Sequence, residues 1–313
     1  IVACLLCAYY CQIVFFVMNP NMNEELLSLL AKHTFSSHEQ TPFLTLLPGV
    51  TLVRASNGRY PRHILHRPAL CLVLQGVKRT VFGEIPFDYA AGQALIVTTA
   101  MPGVSRILKA DALRPYLGVI IEFDIAVVRD VFMQLSHRFP QQKTAPHAAF
   151  VIDIDAQLSR CLLRGLRLLD SPEAIPVLYA GFMQELCYWL LTGPNGADVA
   201  RIVTRDTHSM GVAGALDLLR EKYKEPLSLE SLAKAANLSR SAFHRKFKEL
   251  IGMSPLEYQK QLRLLEARQL LLSRKGTAEA IAFQVGYNSP NQFSREYSHM
   301  FGLSPRKDAL LLR

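Results

Sequence analysis

The chain has 313 residues, 50% hydrophobic and 19% charged, which is room for about two ordinary domains. That composition excludes a disordered chain, which lacks the apolar groups needed to offset chain entropy, and six Cys over this length exclude a disulfide framework, so a reducing cytoplasm is the expected location. The formal charge of +9 points to a polyanionic partner and is unevenly spread: residues 205–313 hold 18 Lys and Arg against 11 Asp and Glu, residues 1–204 hold 17 against 15.

Residues 1–17, IVACLLCAYYCQIVFFV, carry no charge and approach the ~17–25 residues of a membrane-spanning helix. They lack the positive start and small-residue cleavage site of a secretory signal, and no basic residue follows before Lys32 to orient an anchor. The chain begins with Ile, and Met18 and Met22 stand at an ordinary amphipathic start, MNEELLSLLAKH. Residues 1–22 are therefore read as an upstream extension of the reading frame; a membrane-tethered protein is the alternative if residues 1–17 are translated. Cys4, Cys7 and Cys11 have metal-like spacing but no fourth ligand nearby, so no metal is expected there.

From about Thr41 to Asp124, short stretches rich in β-branched and aromatic residues alternate with Pro and Gly. Residues 50–56, 71–76, 78–83, 94–99 and 116–124 have strand length and turn residues at their ends. Strands at this spacing predict a sandwich or small barrel, with tight turns at Gly83 and Gly92. Beyond Asp124 the apolar spacing turns helical over 125–139, 155–170 and 172–192, the last stretch stopping at Gly193-Pro194. This divides the chain into an N-terminal domain at 23–195, a linker at 196–210 and a basic module at 211–313.

The basic module contains an internal repeat. LSRSAFHRKFKELIGMSP at 238–255 and NSPNQFSREYSHMFGLSP at 288–305 align at a constant offset, so that Ser239, Phe243, Arg245, Gly252, Ser254 and Pro255 recur as Ser289, Phe293, Arg295, Gly302, Ser304 and Pro305. Each copy reads as a short helix, a turn and a second helix capped by Ser239 or Ser289, the helix-turn-helix layout. Ala233 and Ala282 let the paired helices approach, and Gly286 suits a helix end. In the second helices Phe243, Phe247 and Leu250, and Phe293, Tyr297 and Phe301, should face inward. The outward sets are Arg240, Ser241, His244, Arg245 and Lys248, and Asn291, Ser294 and Arg295, which can donate to base edges and phosphates in a major groove of double-stranded DNA. Between the copies, Tyr258, Leu262, Leu265 and Leu272 mark one long spacer helix over 255–275. Its ~30 Å length approaches the ~34 Å between successive major-groove faces.

The stretch 227–305, and above all AFQVGYNSPNQFSREYSHMFGLSP at 282–305, resembles the tandem helix-turn-helix domain of the AraC/XylS family of bacterial transcriptional regulators. Asp308 departs from the basic or aromatic residue of many members, which puts a terminal phosphate contact there in doubt. LCLVLQGVKRTVFG at 70–83, with residues 89–107 and 114–124, is similar to the N-terminal domain of one AraC-type subgroup. The resemblance implies an α+β multidomain protein: a cupin-like jelly roll with appended helices, then an all-α homeodomain-like module. It further implies a transcriptional regulator controlled by a small-molecule effector or by self-association as a homodimer, contacting RNA polymerase if it activates.

An enzyme is not expected. No H-x-H, G-x-S-x-G or H-E-x-x-H motif occurs, and His63 and His66, three apart, would point to opposite faces of a strand, a poor metal pair. No cofactor is called for. The alternative from another class is a methyl-accepting repair protein fused to such a domain; it needs a four-cysteine zinc site, whereas only Cys71, Cys161 and Cys187 remain outside residues 1–17. Cys71 itself follows Arg67 and precedes Lys78-Arg79, so nearby positive charge would favour a reactive thiolate able to sense an electrophile or oxidant; its apolar neighbours favour a buried, inert thiol instead.

Overall fold

Turn formers and alternating apolar residues give ten strands among the described residues, which in this computed structural model are 20–35, 42–57, 61–135, 148–204 and 210–311. The segment 1–17 with Cys4, Cys7 and Cys11 lies outside them. The strands are β1 (Pro42–Leu44), β2 (Val50–Ala55), β3 (Arg62–His66), β4 (Ala69–Gln75), β5 (Val77–Phe82), β6 (Ile85–Ala90), β7 (Gln93–Val97), β8 (Met101–Lys109), β9 (Tyr116–Glu122) and β10 (Ala149–Asp153). All pair antiparallel in two sheets, ordered β1-β2-β9-β4-β7-β10 and β3-β8-β5-β6. The five strands expected from sequence are present. β1, β3, β6, β8 and β10 were not legible; β1, β6 and β8 carry Pro42, Pro86, and Pro102 with Gly103, residues that read as breakers.

The inner faces of the two sheets meet in a barrel-like core that includes Cys71 and Val73 of β4, Leu95 and Val97 of β7, Phe82 of β5 and Tyr89 of β6. The outer face of the six-stranded sheet, through Leu70, Leu72, Ile96, Val119 and Ile121, is covered by helices. β4 is therefore buried on both faces, which explains its unbroken apolar run. The covering helices are α1 (Pro20–His33), α2 (Ile125–Gln134), α3 (Ala156–Arg167) and α4 (Ile175–Thr192), with Asp124 and Asp155 capping α2 and α3. The last two expected helices each include a 3₁₀ turn, at 168–170 and 172–174, and 136–139 falls outside the described residues. The stretch read as a linker begins instead with a helix, α5 (Gly196–Ala200), whose Val199 and Ala200 belong to the same core.

Among the described residues seven further helices follow: α6 (Met210–Glu221), α7 (Leu229–Ala235), α8 (Arg240–Ile251), α9 (Pro255–Leu272), α10 (Ala278–Gln284), α11 (Pro290–Phe301) and α12 (Pro305–Leu311). α7–α8 and α10–α11 are the two helix-turn-helix units, joined by α9. Instead of one apolar stripe, α9 buries two. Tyr258 and Leu262 enter the first unit's core, whereas Leu264, Ala267 and Leu271 enter the second's. Leu265 is half-buried and Leu272 exposed, so the helix is a shared spine rather than a bare spacer.

Candidate nucleic-acid interface

Each recognition helix starts at a serine cap. Ser239 Oγ accepts from the Ala242 N–H and Ser289 Oγ from the Gln292 N–H, and each helix ends on a left-handed glycine, Gly252 or Gly302. Phe243 and Phe247 of α8 are fully buried and stack edge-to-face at 5.6 Å; Phe293 and Tyr297 of α11 repeat the arrangement at 5.5 Å. The third inward residue of α8 is Ile251, one turn beyond Phe247, and Leu250 is only half-buried. Phe301 is also half-buried, its ring beneath the Arg268 guanidinium at 4.6 Å. Ala233 and Ala282 are buried where the paired helices meet, and at Gly286 (φ 93°) a Cβ would strike the Lys224 carbonyl oxygen.

These inward residues fix what faces outward. Arg240, Ser241, His244, Arg245 and Lys248 are exposed on α8, and all but Lys248 line one shallow concavity of about 620 Å³. On α11 Asn291 and Arg295 are exposed and Ser294 is half-buried. Arg240 pairs with Glu230 at 3.1 Å and Arg245 lies 3.9 Å from Glu249, both pairs open to solvent, so neither charge is locked away from a ligand. Asp308 is buried: it accepts from Arg268 Nε at 2.9 Å and from the Tyr297 hydroxyl at 2.7 Å, bracing the second unit rather than meeting phosphate.

The sequence carried no sign of how the first unit seats on the barrel. The Glu84 N–H, at the β5–β6 turn, donates to the Gly252 carbonyl at 3.2 Å, and the Ala148 N–H donates to that of Leu250 at 3.3 Å. Lys248 reaches back to Glu84 at 3.2 Å. The Tyr258 hydroxyl donates to the Ala100 carbonyl at 2.7 Å, and Arg220 Nη2 donates to Thr99 Oγ1 at 2.5 Å. A Cβ on Gly83 would strike the Gly252 carbonyl and one on Gly252 the Phe82 carbonyl, so both glycines are needed for the close approach. Along β3 and α9 the domains leave a groove of about 1550 Å³, walled by Arg62, Arg220, Arg268, Leu262, Leu265 and Met300 among others. His63 stands in it edge-on to Phe301 at 5.3 Å, while His66 turns into the barrel, so the two imidazoles take opposite faces of β3.

Inside the barrel, β5 presents Lys78, Thr80 and Phe82, the alternate residues of KRTVFG. That alternation was available in the sequence and could have flagged a buried lysine. Tyr89 OH and Thr80 Oγ1 lie 3.1 Å apart, Thr80 Oγ1 and Ser105 Oγ 2.9 Å, and Ser105 Oγ and His66 Nε2 3.3 Å, a continuous buried chain. Burial, with the Lys78 charge, lowers the His66 pKa to about 3, so its ring is neutral. Cys71 does face Lys78, whose charge favours the thiolate. Burial is the larger effect and pushes the thiol above its ordinary range.

The family model for the AraC-type transcriptional regulator N-terminus matches residues 46–198, and that for a helix-turn-helix domain matches 232–308. The HTH-type transcriptional activator RhaS of Pectobacterium atrosepticum is 31% identical over 148 residues, 46% of this chain and 50% of that protein. The lactose operon transcription activator of Staphylococcus xylosus is 34% identical over 90 residues, 29% of this chain and 32% of that one. This chain thus spans half or less of the length of these curated relatives. ToxT from Vibrio cholerae has the same fold, with a TM-score of 0.56 at 11% identity over 84% of this chain and 97% of that one. With both models matched in chain order and spanning most of its length, the chain belongs to the family of AraC-type transcriptional regulators.

Proposed function

We propose that this protein is a sequence-specific, double-stranded-DNA-binding transcriptional regulator whose N-terminal barrel domain controls the tandem helix-turn-helix module. One observation carries the reading: two capped recognition helices stand on one spine, with arginines at equivalent exposed positions, Arg245 and Arg295. The 18 residues of α9 span about 27 Å at 1.5 Å per residue, a length suited to successive major-groove faces. ToxT has been solved with an unsaturated fatty acid and with (E)-4-(8-methylnaphthalen-1-yl)but-3-enoic acid, which supports a small-molecule effector here as well. A cytoplasmic location, a homodimer and, for an activator, contact with RNA polymerase complete the proposal.

The test is selection of bound duplexes from a random pool by the full chain, followed by gel shifts. Arg245→Ala and Arg295→Ala should each cost about 1–3 kcal/mol and relax base preference at one half-site. Lys248→Ala should weaken all sequences alike and lessen the salt dependence. Unchanged affinity and preference in both arginine variants would sink the groove assignment.

A further inference from the structure

The second recognition helix holds a polar relay that the first lacks. Gln292 is exposed near the start of α11, one turn before half-buried Glu296, and its Nε2 donates to Glu296 Oε1 at 3.1 Å. The other carboxylate oxygen, Oε2, accepts from the Tyr287 hydroxyl at 2.8 Å. Tyr287 belongs to the core, its ring edge-to-face with Phe293 at 5.4 Å and the Arg263 guanidinium over it at 5.9 Å. Burial and the nearby carboxylate raise the tyrosine's pKa, so its hydroxyl stays protonated and donates. An unbroken line of contacts thus runs from the second unit's core to an exposed amide.

The corresponding places in the first unit are Leu238, Ala242 and Lys246. The Leu238 N–H donates to the Ala233 carbonyl as the Tyr287 N–H does to that of Ala282, which fixes the first equivalence, and the constant offset of the repeat gives the other two. Leu238 has no hydroxyl, Ala242 no amide and Lys246 no acceptor, so the relay cannot form there. On α11, Phe293 and Tyr297 point inward. At 100° per residue Gln292 falls about 120° from their mean direction, beside exposed Arg295. A carboxylate only accepts, so the amide nitrogen of Gln292 and not its oxygen must face Glu296. That leaves an acceptor beside a donor, the amide oxygen and the second N–H, for a ligand. Adenine presents the matching pair in the major groove, an N6–H donor and the N7 acceptor, whereas guanine presents two acceptors.

We infer that Gln292 is a specificity-determining residue that reads an adenine in the half-site under α11, with Glu296 and Tyr287 as positioning residues that hold its amide in the adenine-reading orientation. This rests on the DNA-binding reading above and makes the two half-sites chemically unlike: α8, without the relay, places no such demand for adenine. Glu296 serves the choice of base at the expense of affinity, because its negative charge on a DNA-facing helix opposes the attraction of the arginines to phosphate.

The experiment selects duplexes from a random pool with the full chain, once as wild type and once as Gln292→Ala, an exposed substitution that spares the core. One adenine should be enriched by the wild type and lost in the variant, while the other positions keep their preferences. In gel shifts, guanine or 7-deazaadenine at that position, the latter lacking the N7 acceptor, should weaken wild-type binding at least about fivefold and leave Gln292→Ala unaffected. Glu296→Ala should lose most of the adenine preference yet bind mismatched duplexes more tightly, and Tyr287→Phe, which removes one hydroxyl, should lose less of it. Residues that only stabilise the helix would move Tm and leave base preference alone. Wild-type preferences in Gln292→Ala, or equal binding of adenine and 7-deazaadenine, would overturn the assignment, and an intact preference in Glu296→Ala would remove the positioning role. A cytosine preference that vanishes in Glu296→Ala would mean that the carboxylate itself reads the base. Enrichment of no sequence at all would sink the regulator reading, whereas an enriched motif indifferent to Gln292 would sink only this assignment.

Discussion

The two helix-turn-helix units follow one sequence pattern and are unequal in the fold. Serine caps, paired aromatic residues and terminal glycines recur at each. Yet the first unit's core runs into that of the barrel, while the second has a core of its own around Ile281, Phe293 and Tyr297. Lys248 of the first unit reaches Glu84 on the barrel; its counterpart Ser298 bonds within its own helix, to the Ser294 carbonyl at 2.7 Å. Duplication thus reproduces the local unit but not its docking: backbone hydrogen bonds from Glu84 and Ala148 seat the first unit on the barrel.

The comparison is broken most strongly at the terminal glycines. Both are left-handed, at φ 81° and 74°, but a Cβ at Gly252 meets the Phe82 carbonyl and one at Gly302 meets open space. Gly302→Ala should cost about 1–2 kcal/mol from backbone strain alone. Gly252→Ala should cost about 2–4 kcal/mol because overpacking adds to that strain, and it should loosen the domains. Denaturant melts compare the two, and equal losses would mean that the first unit is not seated as described.

Acid should also separate the two regions. The unfolded chain protonates His66 near 6.5, the folded chain only near 3, so between these values the unfolded state binds more protons. Stability should therefore fall as pH drops below about 6.5, by up to about 1.4 kcal/mol per pH unit from this group, and His66→Gln should flatten the slope. Hydrogen exchange should show the barrel and first unit loosening before the second, whose buried set among the described residues holds no histidine.

Cys71 gives a rate in place of an equilibrium. In the native protein its alkylation at neutral pH should run at least about tenfold slower than that of a free thiol, since a buried neutral thiol is a poor nucleophile. Rapid labelling would restore the sensing role and place the thiol within reach of solvent. The smallest effect belongs to the exposed Glu84–Lys248 pair. Glu84→Gln should release Lys248 for phosphate and raise DNA affinity by less than about 1 kcal/mol. A gel shift across sequences would show that gain as uniform; a drop in affinity would mean that the contact positions the helix for DNA.

Much of the interface was legible because its signals are local. Ser239 and Ser289 announce helix starts, the spacing of Phe243 and Phe247 sets an inward face, and the outward arginines follow by subtraction. The errors were local too. Leu250 was taken for core because i+7 and i+8 both fall near the stripe, and only the packed neighbours select Ile251. α9 was read as a spacer, whereas its apolar residues serve two cores on different sides of the helix.

By itself, the sequence determined the helix-turn-helix units, five of the ten strands among the described residues and the family, since caps, periodicity and repeats act within about twenty residues along the chain. Tertiary structure alone decided that Gly83 would meet Gly252 and that Asp308 would brace Arg268 and Tyr297. Those outcomes depend on which surfaces close on one another across long stretches of chain. Burial and close approach are properties of the closed pair, and neither strand nor helix carries them alone.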